Sequence, residues 1–178
     1  ASLFTIDASS GVLSFVAAPN YEAPGDAGAD NVYDVTVQVS DGTLTDSQAI
    51  AVTVTNLNEA PVITSGAAVS VAENQTAVTT VTSTDVDGGA PTYTISGGAD
   101  ASLFTIDAAT GVLTFNTSPN FEVPTDAGGN NVYDVTVEVN DGNGGIATQA
   151  IAITVTNVNE APVITSGAAV SVAENQTA

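Results

Sequence analysis

The chain contains no lysine, arginine or histidine, and this absence excludes several classes of function. Its 178 residues include 20 aspartates and glutamates, so the formal net charge at pH 7 is −20. A chain this acidic repels phosphates and anionic lipids, so we expect neither nucleic acid nor an anionic membrane as a partner. No side chain can form a salt bridge with a carboxylate. Each carboxylate must therefore be solvated, accept backbone N–H groups or bind an external cation.

The chain also has no cysteine, which excludes disulfides and thiol chemistry. Small extracellular domains without disulfides need another staple, and a bound metal is the obvious one. Serine and threonine are plentiful but have no histidine or lysine to act as a base, so we expect no enzyme. We find no signal peptide, and no apolar run of about 18 residues predicts membrane insertion.

A long internal repeat divides the sequence. Residues 1–42 recur at 101–142, and residues 44–77 recur at 145–178, so the offset is first 100 and then 101 residues. A period near 100 residues fits a self-contained small domain. The predicted divisions are the C-terminal part of one repeat at 1–60, a complete repeat at 61–160, and the opening strands of a third repeat at 161–178.

Short alternating segments rich in valine, isoleucine and threonine predict about seven strands in the complete repeat, and no segment has the apolar period of a helix. The fold class is therefore all-β, a tandem array of Greek-key β-sandwiches of the immunoglobulin-like class. In the segment from Asn131 to Asp141, alternate residues should face the core. The expected inward residues are Tyr133, Val135, Val137 and Val139, and the expected core or corner aromatics are Tyr93, Phe104, Phe115, Phe121 and Tyr133.

Acidic and amide side chains recur at fixed places in the repeats. Asp85 and Asp87 lie on the same side of an extended segment, which suits either a turn or a shared hard cation. An EF-hand is excluded because Ser96 occupies the twelfth position, where a bidentate glutamate is needed. The other motifs are Glu73 (copy Glu174), Asn120-Phe121-Glu122 (copy Asn20-Tyr21-Glu22), Asp141-Gly142 (copy Asp41-Gly42), and the junctions Asn56-Leu57-Asn58-Glu59-Ala60-Pro61 and Asn157-Val158-Asn159-Glu160-Ala161-Pro162.

For each motif an ordinary structural role remains open. Asp141-Gly142 is also a hairpin signal, and turn chemistry alone would explain it. A further loop site at Asp126 with Asn130 or Asn131 competes with ordinary loop chemistry.

Together, in this order, the motifs resemble those of cadherin repeats, especially the cadherin-like repeats of very large bacterial surface proteins. The segment FTIDAATGVLTF is similar to that family's F-x-I-x-x-x-T-G-x-I region. The resemblance covers the whole sequence. In that family an inner glutamate, an Asp-x-Glu motif and an Asp-x-Asn-Asp linker meet Asp-x-Asp and Ala-x-Asp motifs of the next domain around calcium ions.

The resemblance implies two calcium-binding junctions. At the first, one repeat would supply Asn20, Glu22, Asn56, Asn58 and Glu59, and the next would supply Asp85, Asp87 and Asp141. At the second, the ligands would be Glu73, Asn120, Glu122, Asn157, Asn159 and Glu160. The partners of this second set would lie beyond residue 178, so it should be incomplete within one chain. Asparagine replaces the family's usual aspartate at positions 20, 56, 120 and 157, which predicts weaker calcium binding.

The resemblance further implies a structural or adhesive module, a calcium-rigidified repeat of an extracellular bacterial adhesin stalk or filament. Its expected partners are neighbouring repeats and identical chains in a fibre. Paired carboxylates can hydrolyse glycosides, but at repeat junctions a ring of metal ligands accounts for them better. A calcium-dependent carbohydrate- or protein-binding module is the alternative. For assembly, two possibilities stay open: one continuous multi-repeat fibre, or chains whose terminal strands complete the next sandwich.

Overall fold

The computed structural model describes residues 2–175, which are almost entirely strands and loops. The first repeat contributes β1 (Phe4–Ile6), β2 (Leu13–Phe15), β3 (Val32–Ser40) and β4 (Thr45–Thr53). The second contributes β5 (Val62–Ile63), β6 (Ala68–Ala72), β7 (Ala77–Thr80), β8 (Ser83–Thr84), β9 (Thr92–Gly97), β10 (Phe104–Ile106), β11 (Val112–Phe115), β12 (Val132–Asn140) and β13 (Ile146–Thr156). One short 3₁₀ helix, Ala101–Leu103, precedes β10.

The second repeat is a two-sheet sandwich, and the predicted fold class is confirmed. One sheet has the order β6-β13-β12-β9 and the other β10-β11-β7, with a small β5-β8 pair beside it. Because β8 follows β7 after two residues, those two segments form one interrupted strand. The first strand is likewise divided into β5 and β6, which pair with different sheets. Counted this way, the repeat has the seven strands that the sequence predicts.

The alternation along β12 builds the centre of the core. Tyr133, Val137 and Val139 have no exposed surface, and Val135 retains 1%. The residues between them face outward, as a strand with a period of two residues requires. Burying each of these side chains contributes about 1.5–3 kcal/mol. The prediction for this segment is therefore confirmed.

Aromatic side chains fill one end of the same core. The Phe104 and Phe115 rings lie 4.5 Å apart, and Phe115 meets Tyr133 edge-on at 5.2 Å. Tyr93 is also buried, and Phe121 is partly buried against the cluster. The Tyr133 hydroxyl accepts the Thr125 amide at 3.2 Å, which satisfies its polar end. All five aromatics predicted for the core or its corners are buried in the core or packed against it.

The turn between β10 and β11 needs glycine for two reasons. Gly111 has φ of +70°, a region that other residues rarely adopt. A Cβ at this position would also overlap the Val81 carbonyl oxygen. Asp107 Oδ1 holds the turn by accepting the amides of Ala109 at 3.1 Å and Thr110 at 2.8 Å.

Parallel pairing of β6 with β13 carries the chain to one end of the sandwich. The register aligns Val69 with Ile153 and Ala72 with Thr156. The next residue, Glu73, then donates its backbone amide to the Thr156 carbonyl at 3.1 Å. This pairing places Glu73 beside the linker that follows β13.

The first repeat shows the same local pairings without a full sandwich around them. β1 pairs with β2, β3 pairs with β4, and Phe15 again meets the ring of a tyrosine, Tyr33, at 5.2 Å. Residues 161–175 contain no strand. The divisions at residues 60 and 160 remain predictions. Within residues 2–175, no helix has the length and apolar character needed to cross a membrane.

Candidate metal centre

Three loops meet where the first repeat joins the second. The linker follows β4, Asp85 and Asp87 follow β8, and Asp141 follows β12. The Asn56 amide donates to Asp87 Oδ1 at 2.8 Å, and the Asn58 amide donates to Asp141 Oδ2 at 2.7 Å. The structure therefore brings together linker and domain residues that lie 31 and 83 positions apart in the sequence.

Asp141 organises its own hairpin as well as the junction. Its Oδ1 accepts the amides of Asn143 at 2.7 Å and Gly145 at 3.0 Å, while Oδ2 faces Asn58. A Cβ on Gly145 would overlap Asp141 Oδ2 and lie 2.7 Å from the Glu59 carbonyl oxygen. Turn chemistry and the junction contact thus occur together at Asp141, and Gly145 is a junction residue that the sequence analysis missed.

Carboxylates converge at this junction. Glu22, Glu59 and Asp87 each place a carboxylate oxygen within 4.8 Å of the others. Oxygens that share one calcium ion at about 2.4 Å lie at most about 4.8 Å apart, so this spacing fits a shared ion. Asp85 Oδ1 accepts the Asp87 amide at 2.9 Å, whereas Asp85 Oδ2 is buried and has no hydrogen-bond partner among residues 2–175. That unpartnered oxygen is a position a cation would satisfy.

The pKa values at the first junction diverge according to the partners of each carboxylate. Desolvation by the surrounding atoms, followed by the negative charges of Glu22 and Asp87, raises the pKa of Glu59. The Glu59 backbone amide, at 2.7 Å from Asp87 Oδ2, and then the Asn56 side chain lower the pKa of Asp87. Hydrogen bonds from the Asn58 side chain and the Asn143 amide lower the pKa of Asp141. Asp87 and Asp141 are thus held as anions, while Glu59 is under repulsion.

Glu73 is the most deeply buried acid of the second junction. It is 3% exposed, and its two oxygens accept the amides of Phe121 at 2.8 Å and Val158 at 2.7 Å. These two amides lower the pKa of Glu73. Glu73 therefore ties the loop after β11 to the linker after β13.

Two further acids join Glu73 at this end. Carboxylate oxygens of Glu73, Glu122 and Glu160 lie within 4.8 Å of one another. The Asn157 amide donates to Glu122 at 2.5 Å, and the Asn74 amide donates to Glu160 at 2.8 Å. Asn74 is not among the residues predicted from the sequence. Its signal was an asparagine directly after the inner glutamate, and it adopts a positive φ of 65°.

The remaining candidates make only local contacts or none. Asn20 Oδ1 accepts the Glu22 amide at 2.8 Å, and Asn120 Oδ1 accepts the Val123 amide at 2.8 Å, so both shape their own turns. Asn159 is exposed, and its side chain makes no hydrogen bond within the described part of the chain. Metal binding by these three residues stays a prediction.

The Asp126 loop is explained without a metal. Both Asp126 oxygens accept backbone amides, those of Asn130 at 2.9 Å and Asn131 at 3.0 Å. This arrangement matches the ordinary loop chemistry considered as its alternative.

The donor set fits a hard divalent cation. All the ligands are carboxylate, amide or carbonyl oxygens, which suit calcium and do not suit zinc or copper. The chain also has no cation of its own to neutralise the clusters. Asparagine side chains partly compensate the negative charge of the clusters, because the amides of Asn56 and Asn157 each donate a hydrogen bond to a carboxylate.

The fold and the acidic junction define an immunoglobulin-like, cadherin-like sandwich repeat. Residues 58–154 match the bacterial Ig domain family, and the chain belongs to that family. The resemblance to cadherin-like repeats of bacterial surface proteins is thereby supported at the level of the domain. No curated protein sequence is significantly similar to the chain.

Solved cadherin structures share this fold. The chain matches Drosophila N-cadherin domains EC1–4 with a TM-score of 0.62 and 20% identity, over 85% of this chain and 39% of that one. Human protocadherin-24 EC1–2 matches with a TM-score of 0.60 and 21% identity, over 88% of this chain and 77% of that one. Mouse cadherin-23 EC22–24 matches with a TM-score of 0.57 and 21% identity, over 88% of this chain and 50% of that one. The chain thus spans well under half of the fly structure.

Proposed function

We propose that this chain is a calcium-stiffened structural repeat of an extracellular bacterial adhesin stalk or filament. The observation that carries the proposal is the first junction, where carboxylates from two successive repeats converge and no lysine, arginine or histidine balances them. Calcium held by Glu22, Glu59, Asp85 and Asp87, with Asp141 beside them, would neutralise this charge. It would also fix the angle between the repeats.

A stiff junction suits a stalk. Ig-like and cadherin-like domains are typically structural modules without enzymatic activity and are typically extracellular. A linker with uncompensated carboxylates on both sides is loosened by their repulsion, and an ion removes that repulsion. The domain family, the fold and the position of the acids therefore support one mechanical role.

The second candidate is a calcium-dependent carbohydrate- or protein-binding module. The open acidic group Glu73, Glu122 and Glu160 favours it, because two of these three residues are exposed. An ion there would keep coordination positions for a ligand. A sugar that displaces a calcium-bound water in a soaked crystal would favour this module, whereas an unchanged ion would favour the stalk.

Calorimetric unfolding with calcium, compared with unfolding in a chelator at matched ionic strength, tests the main proposal. Saturation at about 100 times Kd should stabilise the folded state by about 2.7 kcal/mol. Sodium chloride at the same ionic strength controls for simple screening. A melting temperature that is identical in calcium and in chelator would overturn the proposal.

Small-angle scattering then tests stiffness directly. With calcium, the maximum dimension should be fixed, and in chelator the distribution of distances between the repeats should broaden. Asp87→Asn is the matched variant, since it removes one charge and changes almost no volume. Broadening that is the same in calcium and in chelator would mean that the ion stabilises a domain without stiffening the junction.

A further inference from the structure

The loop that joins β12 to β13 contains an asparagine followed by a glycine, Asn143-Gly144. The sequence has 14 asparagines, and every other one is followed by a residue with a side chain. Glycine has no Cβ, so it leaves its own backbone nitrogen open to approach the side-chain amide of the residue before it. The corresponding loop of the first repeat, Asp41-Gly42-Thr43-Leu44, has no asparagine.

Hydrogen bonding also sets Asn143 apart from most other asparagines. Eleven asparagine side chains donate or accept a hydrogen bond within residues 2–175. The side chains of Asn143, Asn159 and Asn175 make none in that range. Glutamate follows Asn159 and glutamine follows Asn175, and both side chains hinder attack by the backbone nitrogen. Sequence and hydrogen bonding therefore point to the same residue, Asn143.

The loop holds the backbone on both sides of this pair and leaves the pair itself in open space. Asp141 Oδ1 accepts the backbone amides of Asn143 at 2.7 Å and Gly145 at 3.0 Å. Gly144, between them, has φ of +108°, and a Cβ built on it would meet no atom within 4 Å. Both Asn143 and Gly144 are exposed to solvent. Water can therefore reach both reacting groups.

We propose that Asn143 is a site of spontaneous deamidation, and that the product adds a negative charge to the first junction. The Gly144 backbone nitrogen gives its proton to water and forms a bond to Asn143 Cγ. The bond from Cγ to Nδ2 breaks, Nδ2 takes a proton from water and leaves as ammonia, and a five-membered succinimide remains. Water then opens this ring at either of its two carbonyl carbons, which gives aspartate or isoaspartate at position 143. The only co-reactant is water, and both products carry a new carboxylate.

The loop that would be modified packs on the linker of the first junction. A Cβ on Gly145 would lie only 2.7 Å from the Glu59 carbonyl oxygen, so the backbone two residues after Asn143 is in close contact with the linker. Two residues before Asn143, the Asp141 carboxylate accepts the Asn58 side chain at 2.7 Å. The new charge is therefore added beside carboxylates that no lysine, arginine or histidine of the chain neutralises.

The consequence for calcium rests on the proposed function. One more negative charge near Glu59, Asp87 and Asp141 increases the repulsion across the ion-free junction. The same charge favours a bound divalent cation, because the negative charge around a site helps to set its calcium affinity. Deamidation should therefore make the junction weaker in chelator and more strongly stabilised by calcium.

Peptide mapping of the full 178-residue chain during storage at neutral and mildly alkaline pH tests the site. A glutamate-specific protease is suitable, since the chain has no lysine or arginine for trypsin. Cleavage after Glu138 and Glu160 gives peptide 139–160, which contains Asn143 and three reference asparagines, Asn140, Asn157 and Asn159. Asn143 should deamidate at least tenfold faster than each reference, and faster at the higher pH. Equal rates at the four positions would overturn the proposal.

The product mixture tests the route. Opening of a succinimide gives isoaspartate as well as aspartate, whereas direct hydrolysis of the side-chain amide gives aspartate alone. A protein isoaspartyl methyltransferase, which labels isoaspartate, should therefore label peptide 139–160 from the stored chain. Deamidation at Asn143 without any label would overturn the attack by the Gly144 nitrogen.

The first repeat provides a matched control variant. Thr43 occupies the place of Asn143 there, and its backbone amide still donates to Asp41 Oδ1 at 2.8 Å. Asn143→Thr should therefore keep the loop and abolish labelling of peptide 139–160. Gly144→Ala, whose Cβ has open space in the folded loop, should slow deamidation at least tenfold. Labelling that persists in Asn143→Thr would place the reaction at another residue and overturn the assignment.

Asn143→Asp reproduces the charge of the product and tests its effect on the junction. Calorimetric unfolding in calcium and in chelator should give a larger difference in melting temperature for Asn143→Asp than for Asn143→Thr. An equal difference in the two variants would overturn the effect on the junction.

The outcomes separate this inference from the proposed function. Rapid deamidation at Asn143 in a chain that does not respond to calcium in any form supports the modification site and overturns the calcium-stiffened stalk. A chain that calcium stabilises, but in which Asn143 reacts no faster than its references, overturns the modification site and leaves the stalk function standing.

Discussion

Strands β1–β4 and strands β10–β13 have nearly the same sequence, yet they are buried to different extents. Val139 has no exposed surface, whereas Val39, in the same place on β3, is 68% exposed. Leu113 is fully buried and Leu13 only half-buried. Tyr33 is nevertheless as well covered as Tyr133, because its neighbours Phe4 and Phe15 come from the local hairpin.

This contrast separates the contacts that are local from those that depend on distant strands. The aromatic cluster forms from one hairpin and the strand after it, and it is present in both repeats. Among residues 2–175, the aliphatic core forms only where β6, β7 and β9 cover the same surface. An alternating strand therefore specifies which face can be buried, and the neighbouring strands decide whether it is buried.

The largest effect should come from truncating the fully buried leucine. Leu113→Ala should destabilise the second repeat by about 4 kcal/mol, because it leaves a cavity in a closed core. Leu13→Ala should cost about 1 kcal/mol or less, since its side chain already meets solvent. Hydrogen exchange read by mass spectrometry can follow β2 and β11 separately. Equal losses at the two positions would contradict the comparison.

The two turn glycines make the next contrast. Gly11 and Gly111 have φ of 73° and 70°, so alanine strains both by about 1–2 kcal/mol. Gly111→Ala should cost about 3 kcal/mol in total, because its Cβ overlaps the Val81 carbonyl, whereas a Cβ on Gly11 has open space. Urea unfolding of each variant measures the difference. If Gly11→Ala lost as much stability as Gly111→Ala, backbone strain alone would account for both losses.

The two junctions should differ in their response to calcium. Asp87→Asn should remove most of a calcium stabilisation of up to about 2.7 kcal/mol, since Asp87 links two repeats. Glu122→Gln should remove much less, because its cluster has ligands from one repeat only. Calorimetry in calcium and in chelator measures both. A larger loss for Glu122→Gln would place the important ion at the second junction.

The smallest expected effect is the pH dependence of the ion-free first junction. The pKa of Glu59 is raised, so its ionisation destabilises the folded junction, and that penalty disappears as the pH falls through its folded pKa towards the ordinary 4.5. Glu59→Gln in chelator should therefore melt higher than the natural chain at pH 7, by on the order of 1 °C, with the gap closing on acidification.

Asp87 and Asp141 should show the opposite pH dependence of stability, and they serve as the control. Their pKa values are lowered from 3.8, so their stabilisation is complete above that value and is lost as the pH falls through their folded pKa values. Replacing Asn58 with leucine removes the first cause of the shift at Asp141. That variant should lose stability near neutral pH, and the loss should shrink as the pH falls through the lowered pKa of Asp141. A constant loss at every pH would point to packing instead.

The sandwich could be predicted from the sequence because its strongest signals are local. The alternation along β12 depends on neighbouring residues, and the prediction for that strand was correct. The division of the first strand into β5 and β6 depends on two different partner strands, the nearby β8 and the distant β13, and periodicity does not contain this information. Asp100 was likewise missed. It is buried, with its oxygens on the amides of Ala127 and Asp134, and a lone aspartate in a loop carries no pattern.

At the candidate site, the sequence motifs predict the acids but not their hydrogen-bond partners. The motifs predicted that Asp87 and Asp141 would meet the linker, and the structure places them there. The sequence does not predict that Asn56 and Asn58 donate hydrogen bonds to those carboxylates, because it does not reveal which way a side-chain amide points. Asn20 and Asn120 look like ligands by position, yet a turn takes up their oxygens.

The parallel pairing of β6 with β13 also has a consequence for how the chain folds. Its partners are 84 residues apart, and a second, identical candidate for the same partner surface lies further on, at 169–173. During synthesis β13 emerges after β6 and before residues 169–173, so the order of translation selects the correct strand. Refolding from denaturant offers both at once. We expect that route to be slower and to give a mixture of strand partners at high chain concentration.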